Sequence, residues 1–195
     1  TKEQEQRLLW VLYRCRFVYN YLLEKKNKEK LKRKALQALL PKLKKEFPEL
    51  KNVHSKTLQY ENYRLHASIF ALYQLKKKGK KVGKLRFKGE QWFKTFTYNQ
   101  SGFAILQNNI RYDRLWLSKI GEIPFIMHRD IEGKIKQITI KHYPSGKWYA
   151  SIIAETKEEI RLSQNTNKVG IDLGTINYAY DSDGNALPAG FRART

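Results

Sequence analysis

One aspartate stands where a reaction centre would need it. Asp172 sits in Val169-Gly170-Ile171-Asp172-Leu173-Gly174-Thr175, followed by an apolar stretch to Tyr180 and then Asp183-Gly184. The pattern reads as a β-strand, a sharp turn and a second antiparallel strand. Gly170 and Gly174 let the backbone come close to neighbouring groups. A carboxylate inside an otherwise apolar strand is costly unless it is paired or bound to metal. Mg²⁺ takes such oxygens, with water and phosphate oxygens completing its shell. Two such ions can clamp the attacking and leaving oxygens of a phosphodiester. The plainer alternative is a strand-end aspartate that caps a turn.

Charge supplies the second signal. The 195 residues carry 39 Lys/Arg against 18 Asp/Glu, a net of +21. Residues 1–88 hold 25 Lys/Arg against 7 Asp/Glu, a net of +18, and the remainder holds 14 against 11, a net of +3. A basic body of this kind seeks a polyanion, of which nucleic acid is the commonest. A ribosomal-type protein carries a similar surplus, so charge names a partner class and no reaction. The densest run is Lys76-Lys77-Lys78-Gly79-Lys80-Lys81, followed at once by Lys84, Arg86 and Lys88. Phosphate contact is favoured there over a merely solvated helix end. Trp92, Tyr98, Tyr143, Trp148 and Tyr149 are candidates for base stacking, several of them necessarily core. Arg129, Lys141, Tyr143 and Trp148 complete the nucleic-acid-binding set.

Other chemistry finds little support. Cys15 is the sole cysteine, which excludes an internal disulfide framework and a cysteine-rich zinc site in this stretch. It reads as a small apolar core residue. His54 and His66 have no ligand-spaced partners. No apolar run approaches the roughly 20 residues of a membrane span, and no signal-peptide pattern opens the sequence, so a soluble intracellular protein is expected. With 41% hydrophobic and 13% aromatic residues, a packed core is available.

The elements that must position these residues fall into two kinds. Residues 1–26 predict an amphipathic helix. Thr1 and Gln4 have capping-box spacing, and Leu8, Leu12, Cys15, Tyr19 and Leu22 share one face beside Val11 and Val18. Residues 28–40 predict a second helix, stopped by Pro41, with a short helical turn up to Pro48. Residues 55–78 predict a third, with Leu58, Asn62, Leu65, Ile69 and Leu72 on its buried side and Gly79 as its stop. From Leu85 the period becomes alternating. Strands are expected at 93–98, 103–106, 115–117, 123–128, 134–143 and 147–155. Asn99–Gly102 and Pro144–Gly146 form turns, and Ile138 and Ile140 face opposite to Gln137, Thr139 and Lys141. Short antiparallel strands of this kind suggest a small barrel or sandwich. Residues 156–168 read as a polar linker.

The Gly-Ile-Asp-Leu-Gly box is shared by two families. In the sugar-kinase, heat-shock and actin-like ATPases a similar loop brings its Thr to nucleotide phosphate. In RuvC-type, RNase H-like nucleases the strand aspartate holds metal. The ATPase box normally lies near the chain start, and here it follows a basic helical region and a β region, which favours the nuclease. The segments TKEQEQRLLWVLYRCRFVYNYLLE, TFTYNQSG, GEIPFIMHRDIEGKIKQITIKHYPSGKWYASIIAE and VGIDLGTINYAYDSDG, in that order, resemble TnpB. TnpB is the transposon-encoded OrfB-type protein related to type V CRISPR effectors.

The resemblance implies an α+β architecture. A basic helical recognition lobe would span 1–84 and a wedge-type β-barrel domain, similar to oligonucleotide-binding folds, 85–163. The first strands of an RNase H-like RuvC domain would span 168–195. It implies an RNA-guided DNA endonuclease with guide RNA and target DNA as partners, no small-molecule substrate, and a cytoplasmic, DNA-associated place in a prokaryote. Asp172 matches the first catalytic carboxylate, a Mg²⁺ ligand. The family's preceding β-strand, its second and third carboxylates and its four-cysteine zinc ribbon are expected outside this chain. Asp181 and Asp183 read as hairpin-turn residues and do not replace those carboxylates. A truncated, nuclease-inactive binding module is the alternative function.

Replacing Lys76, Lys77, Lys78, Lys80 and Lys81 together by alanine is expected to weaken binding to RNA and DNA alike. It also makes the fall of affinity with salt shallower. Filter binding at several salt concentrations measures both, and unchanged affinity and slope would mark the run as a solvated helix end.

Overall fold

A computed structural model describes residues 1–106, 112–156, 169–174 and 177–188. The chain divides into two compact units, Thr1–Lys157 and Glu158–Thr195. Among the described residues the architecture is α+β, with three α-helices and antiparallel sheets.

In the first unit, α1 (Lys2–Glu29) opens with the predicted capping box. The Thr1 amino group donates to Gln4 Oε1 at 2.8 Å and the Gln4 amide donates back to Thr1 Oγ1 at 3.4 Å. Its buried residues include the whole predicted stripe, Leu8 through Leu22, with Cys15 fully enclosed. Burial pushes the Cys15 thiol well above its ordinary range, which keeps it protonated and unreactive. The helix runs past the expected end at residue 26. The i,i+4 pairs Glu24–Lys28 at 2.5 Å and Lys25–Glu29 at 2.8 Å lie on its last turns. Lys30 then closes it in the left-handed region, φ 53°.

α2 (Arg33–Glu46) corrects the second prediction, since Pro41 lies inside it instead of stopping it. Proline removes one i→i−4 bond, but its ring is on the exposed face. Leu36, Leu40 and Leu43 are buried on the other side and carry the helix through. A 3₁₀ helix (Pro48–Asn52) follows, with Pro48 in its first turn. α3 (Ser55–Lys77) buries Leu58, Asn62 and Leu65, while Ile69 and Leu72 are half-buried. Gly79 ends it as expected. At φ +75° its N–H donates to Lys76 O, and Lys80 N–H reaches Leu75 O, the reciprocal closure of a Schellman motif.

The strands are β1 (Thr95–Asn99), β2 (Phe103–Leu106), β3 (Asp113–Leu117), β4 (Gly121–Phe125), β5 (Lys134–His142) and β6 (Trp148–Glu155). They form two three-stranded antiparallel sheets, ordered β1-β5-β6 and β2-β3-β4. β1 therefore pairs with β5 across the inserted second sheet. The expected barrel is not formed: among the described residues neither sheet closes on itself. β4 starts and ends earlier than expected because its ladder with β3 stops at Asp113↔Phe125, leaving Ile126 exposed. On β5, Ile138 and Ile140 face the core as predicted. The β1–β2 turn presses on α3's start: a Cβ on Gly102, itself at φ +86°, would meet the His54 ring at 2.7 Å. His54 is stacked on Tyr98, 5.5 Å between centroids.

One core joins helices and sheets, running from Leu8 on α1 through Leu58 and Leu65 on α3 to Phe96, Leu117 and Ile140. Within it lies a carboxylate, Glu61, fully buried beside Arg64 at 3.3 Å. Burial drives its pKa from 4.5 to about 8, with the Arg64 guanidinium opposing only in part. The folded protein thus binds a proton that the unfolded chain releases above pH 4.5. The contribution of Glu61 to stability is expected to be fully present below about pH 4.5 and to be lost as pH rises towards 8, by on the order of a few kcal/mol. Denaturant melts across that range measure it, and Glu61→Gln should flatten the slope.

The second unit contains β7 (Ile171–Asp172), β8 (Asn177–Asp181) and β9 (Ala186–Pro188) in one antiparallel sheet of that order. The predicted linker at 156–168 falls, apart from Thr156, outside the described residues, as do Thr175 and the segment 189–195.

Candidate nucleic-acid interface

The basic run begins on the last turn of α3 and continues through the irregular segment after it. Lys76, Lys77, Lys78, Lys80, Lys81, Lys84, Arg86 and Lys88 are all exposed. The segment is anchored at its far end. Asn20 on α1 accepts from the Lys88 amide at 2.8 Å and donates to its carbonyl at 3.0 Å. Cations at a helix C-terminus suit the dipole, so the run costs α3 nothing and leaves its charge for an external anion.

A second cluster is built by the β5–β6 hairpin. Tyr143 N–H donates to Lys147 O, Gly146 N–H donates to Tyr143 O, and Gly146 adopts φ +76°, the tight turn read from Pro144-Ser145-Gly146. Register places Lys141 opposite Tyr149 and His142 opposite Trp148. Alternation then puts Lys141, Tyr143 and Tyr149 on one face. Their rings are exposed and meet edge to face at 4.9 Å, with Lys141 Nζ 4.2 Å from the Tyr143 centroid. Cation and π-faces side by side suit a nucleotide, whose phosphate takes the charge and whose base takes the ring. On the opposite face Trp148 stacks on His142 at 4.5 Å. Arg129 and Trp148 line a groove of about 1070 Å³ along β6, together with Tyr149 and Lys147.

Of the stacking candidates, Tyr98 is corrected to core. It is fully buried, and its hydroxyl donates to Ser118 O at 2.7 Å. Both faces of β1 are covered, so alternation could not expose it. Trp92 is the opposite case, 82% exposed on a short 3₁₀ turn. The lysine run and the hairpin lie on separate elements, and none of the run lines the groove along β6.

Asp172 belongs to the second unit and pairs with Tyr180 in the ladder. The expected desolvated carboxylate is not found, because β7 is a two-residue edge strand and Asp172, Ile171 and Leu173 are all exposed. Gly170 is fixed by exchange with Ser182: its N–H donates to Ser182 Oγ at 3.0 Å and its carbonyl accepts from Ser182 N–H at 2.8 Å. Asp181, read as a turn residue, is the last residue of β8 and braces the turn that follows. The Asn185 side-chain amide donates to its Oδ2 at 2.8 Å and the Asn185 and Asp183 backbone N–H groups donate to its Oδ1, and these bonds, the Asn185 side chain's first, hold its carboxyl below the usual range. Among the described residues no three His, Cys, Asp or Glu side chains gather to hold an ion. Asp172 offers Mg²⁺ one carboxylate, which by itself is not a site.

Sequence reading missed a third cluster. Lys56, Tyr60 and Tyr63 follow one another at i, i+4 and i+7 along α3, away from Leu58 and Leu65. With Arg33 and Lys34 of α2 they line a groove of their own. The helical spacing was the available signal.

No helix among the described residues is long and apolar enough to cross a membrane. Removing the Tyr149 ring (Tyr149→Ala) is expected to weaken single-stranded nucleic acid about fivefold or more without changing the salt slope. Lys141→Gln is expected to make that slope shallower by about 0.7. Anisotropy titrations at three salt concentrations separate the two effects.

No family model matches the chain. A stretch of 99 residues, 51% of the chain, is 32% identical to InsQ of Escherichia coli (strain K12), a proposed RNA-guided DNA endonuclease by its name. The match spans 23% of that protein, under a quarter of its length. The match supports the resemblance to TnpB that the ordered motifs carry.

Proposed function

We propose that the chain is a segment of a TnpB-type RNA-guided DNA endonuclease, contributing contacts to guide RNA and DNA and one metal carboxylate, Asp172. The observation that carries this reading is the +18 of residues 1–88 in a chain that matches InsQ. Pairing between guide and target reads sequence in such a system, and the protein supplies phosphate contacts and shape. The exposed lysines after α3 and the Lys141–Tyr143–Tyr149 face fit that division of labour. The expected domains, a recognition lobe over 1–84, a wedge over 85–163 and a RuvC start at 168, belong to the same proposal, as does Mg²⁺.

A second reading, a nucleic-acid-binding module that does not cut, is favoured by Asp172 standing alone in its motif. One carboxylate cannot hold two cations at a scissile phosphate.

The chain alone is expected to bind structured RNA with affinity falling steeply as salt rises, and not to cut DNA with guide RNA and Mg²⁺. A longer protein that carries this segment with the remaining carboxylates is expected to cut. Asp172→Ala in it abolishes cutting while guide-RNA binding changes less than about twofold, since Asp172 contributes no positive charge. Normal cutting by that variant would overturn the metal role, and salt-independent RNA binding by the chain would overturn the nucleic-acid reading.

A further inference from the structure

Between the first turn of α2 and the middle of α3 lies a groove of about 730 Å³, lined by Arg33, Lys34, Lys56, Tyr60, Tyr63 and Gln100 among others. Three cations line it and no carboxylate does. Its aromatic wall is a pair: the Tyr60 and Tyr63 rings lie 5.5 Å apart at 32°, and Tyr63 is 50% exposed. The Arg33 guanidinium stands 5.3 Å from the Tyr63 ring centre.

The groove is held in shape from beneath. Buried Asn62 donates to Arg33 O at 3.0 Å and to Gln37 Oε1 at 2.9 Å, tying the start of α2 to α3. At the other side Lys56 Nζ donates to Gln100 Oε1 at 2.7 Å, tying α3 to the β1–β2 turn. Phosphates near Arg33, Lys34 and Lys56 would meet cations with no internal partner of opposite sign in the groove. A planar apolar group would find the half-exposed Tyr63 ring. α2 adds to the demand for an anion, because its first turn holds no acidic residue and Lys32 gives it no side-chain cap.

We propose that this groove binds a single-stranded stretch of polynucleotide, one unstacked base lying on Tyr63 and the flanking phosphates held by Arg33, Lys34 and Lys56. The proposal deepens the nucleic-acid reading above and rests on it. Duplex bases are already stacked and offer the groove only phosphates, whereas a single strand brings both groups that it is built to meet. Recognition is tolerant of sequence, since every base has a π-face.

The test uses the 195-residue chain with fluorescein-labelled single strands of RNA and of DNA, about 12 nucleotides long to cover one such site, and a duplex of equal length. Tyr63→Leu keeps the apolar bulk and removes the ring. It should weaken single strands about fivefold or more, leave the duplex and the salt slope unchanged, and abolish the quenching of a 2-aminopurine placed in the strand. Arg33→Gln, Lys34→Gln and Lys56→Gln together should make the salt slope shallower by about 2, at about 0.7 per phosphate on a single strand. All four positions lie at the surface or the groove wall, and circular dichroism checks that each variant is folded. A loss in the RNA arm, the DNA arm or both supports the groove and identifies its strand. If the chain binds single strands and both variants bind them unchanged, the groove is not the site and the wider nucleic-acid reading stands. If the unaltered chain binds no polynucleotide, both fall together.

Discussion

The first unit depends on a strand that is covered on both faces. Phe96, Thr97 and Tyr98 are consecutive on β1 and all are buried, Thr97 at 1%. Neighbours on a strand point opposite ways, so β1 must have a partner on each side. Arg64 of α3 reaches it on one side, donating to Thr95 O at 3.0 Å and to Thr95 Oγ1 while standing 4.9 Å from the Phe93 ring centre. On the other side the Tyr98 hydroxyl bonds Ser118 at the end of β3. Phe96 and Tyr98 share one face, and uncovering it would expose both large side chains at roughly 25 cal/mol per Å² of apolar surface. Helices and sheets therefore stand or fall together, and the surfaces that they carry are fixed relative to one another within this unit.

That rigidity gives the charge distribution its meaning. Carboxylates are few, and those present in the basic half are largely occupied: Glu3, Glu24, Glu29 and Glu49 pair with Arg7, Lys28, Lys25 and Arg14. Such exposed pairs contribute little to stability. Their effect is to neutralise cations along α1 and to leave the surplus at the end of α3 and at the start of α2. Glu61 is the exception, a carboxylate removed from water beside Arg64. It sits where β1, α1 and α3 converge, and its proton is coupled to the same packing.

Asp172 makes the opposite point. A carboxylate at a metal site gains its function from what converges on it, and an exposed two-residue edge strand supplies no convergence by itself. The glycines around it and the Ser182 exchange with Gly170 fix the backbone of the box. Among the described residues no second carboxylate converges on it.

Periodicity alone determined much of this molecule. The stripe from Leu8 to Leu22, the capping box at Thr1 and Gln4, the Gly79 stop and the β5–β6 hairpin at Gly146 are local effects, set by residues within a turn or two of each other. The basic half and the resemblance to TnpB were equally legible, because charge and motif order need no coordinates. Tertiary structure decided what depends on distant partners. Pro41 passes inside α2 because Leu36, Leu40 and Leu43 are anchored on another helix. Tyr98 is core because α3 and the second sheet cover both sides of its strand. β1 pairs with β5, some 40 residues away, and not with its neighbour, a pairing no local signal encodes. Asp172 is exposed because burial belongs to the surroundings and not to the motif. The Tyr60–Tyr63 groove exists only where α2 is tied against α3 through Asn62, which spacing along one helix cannot reveal.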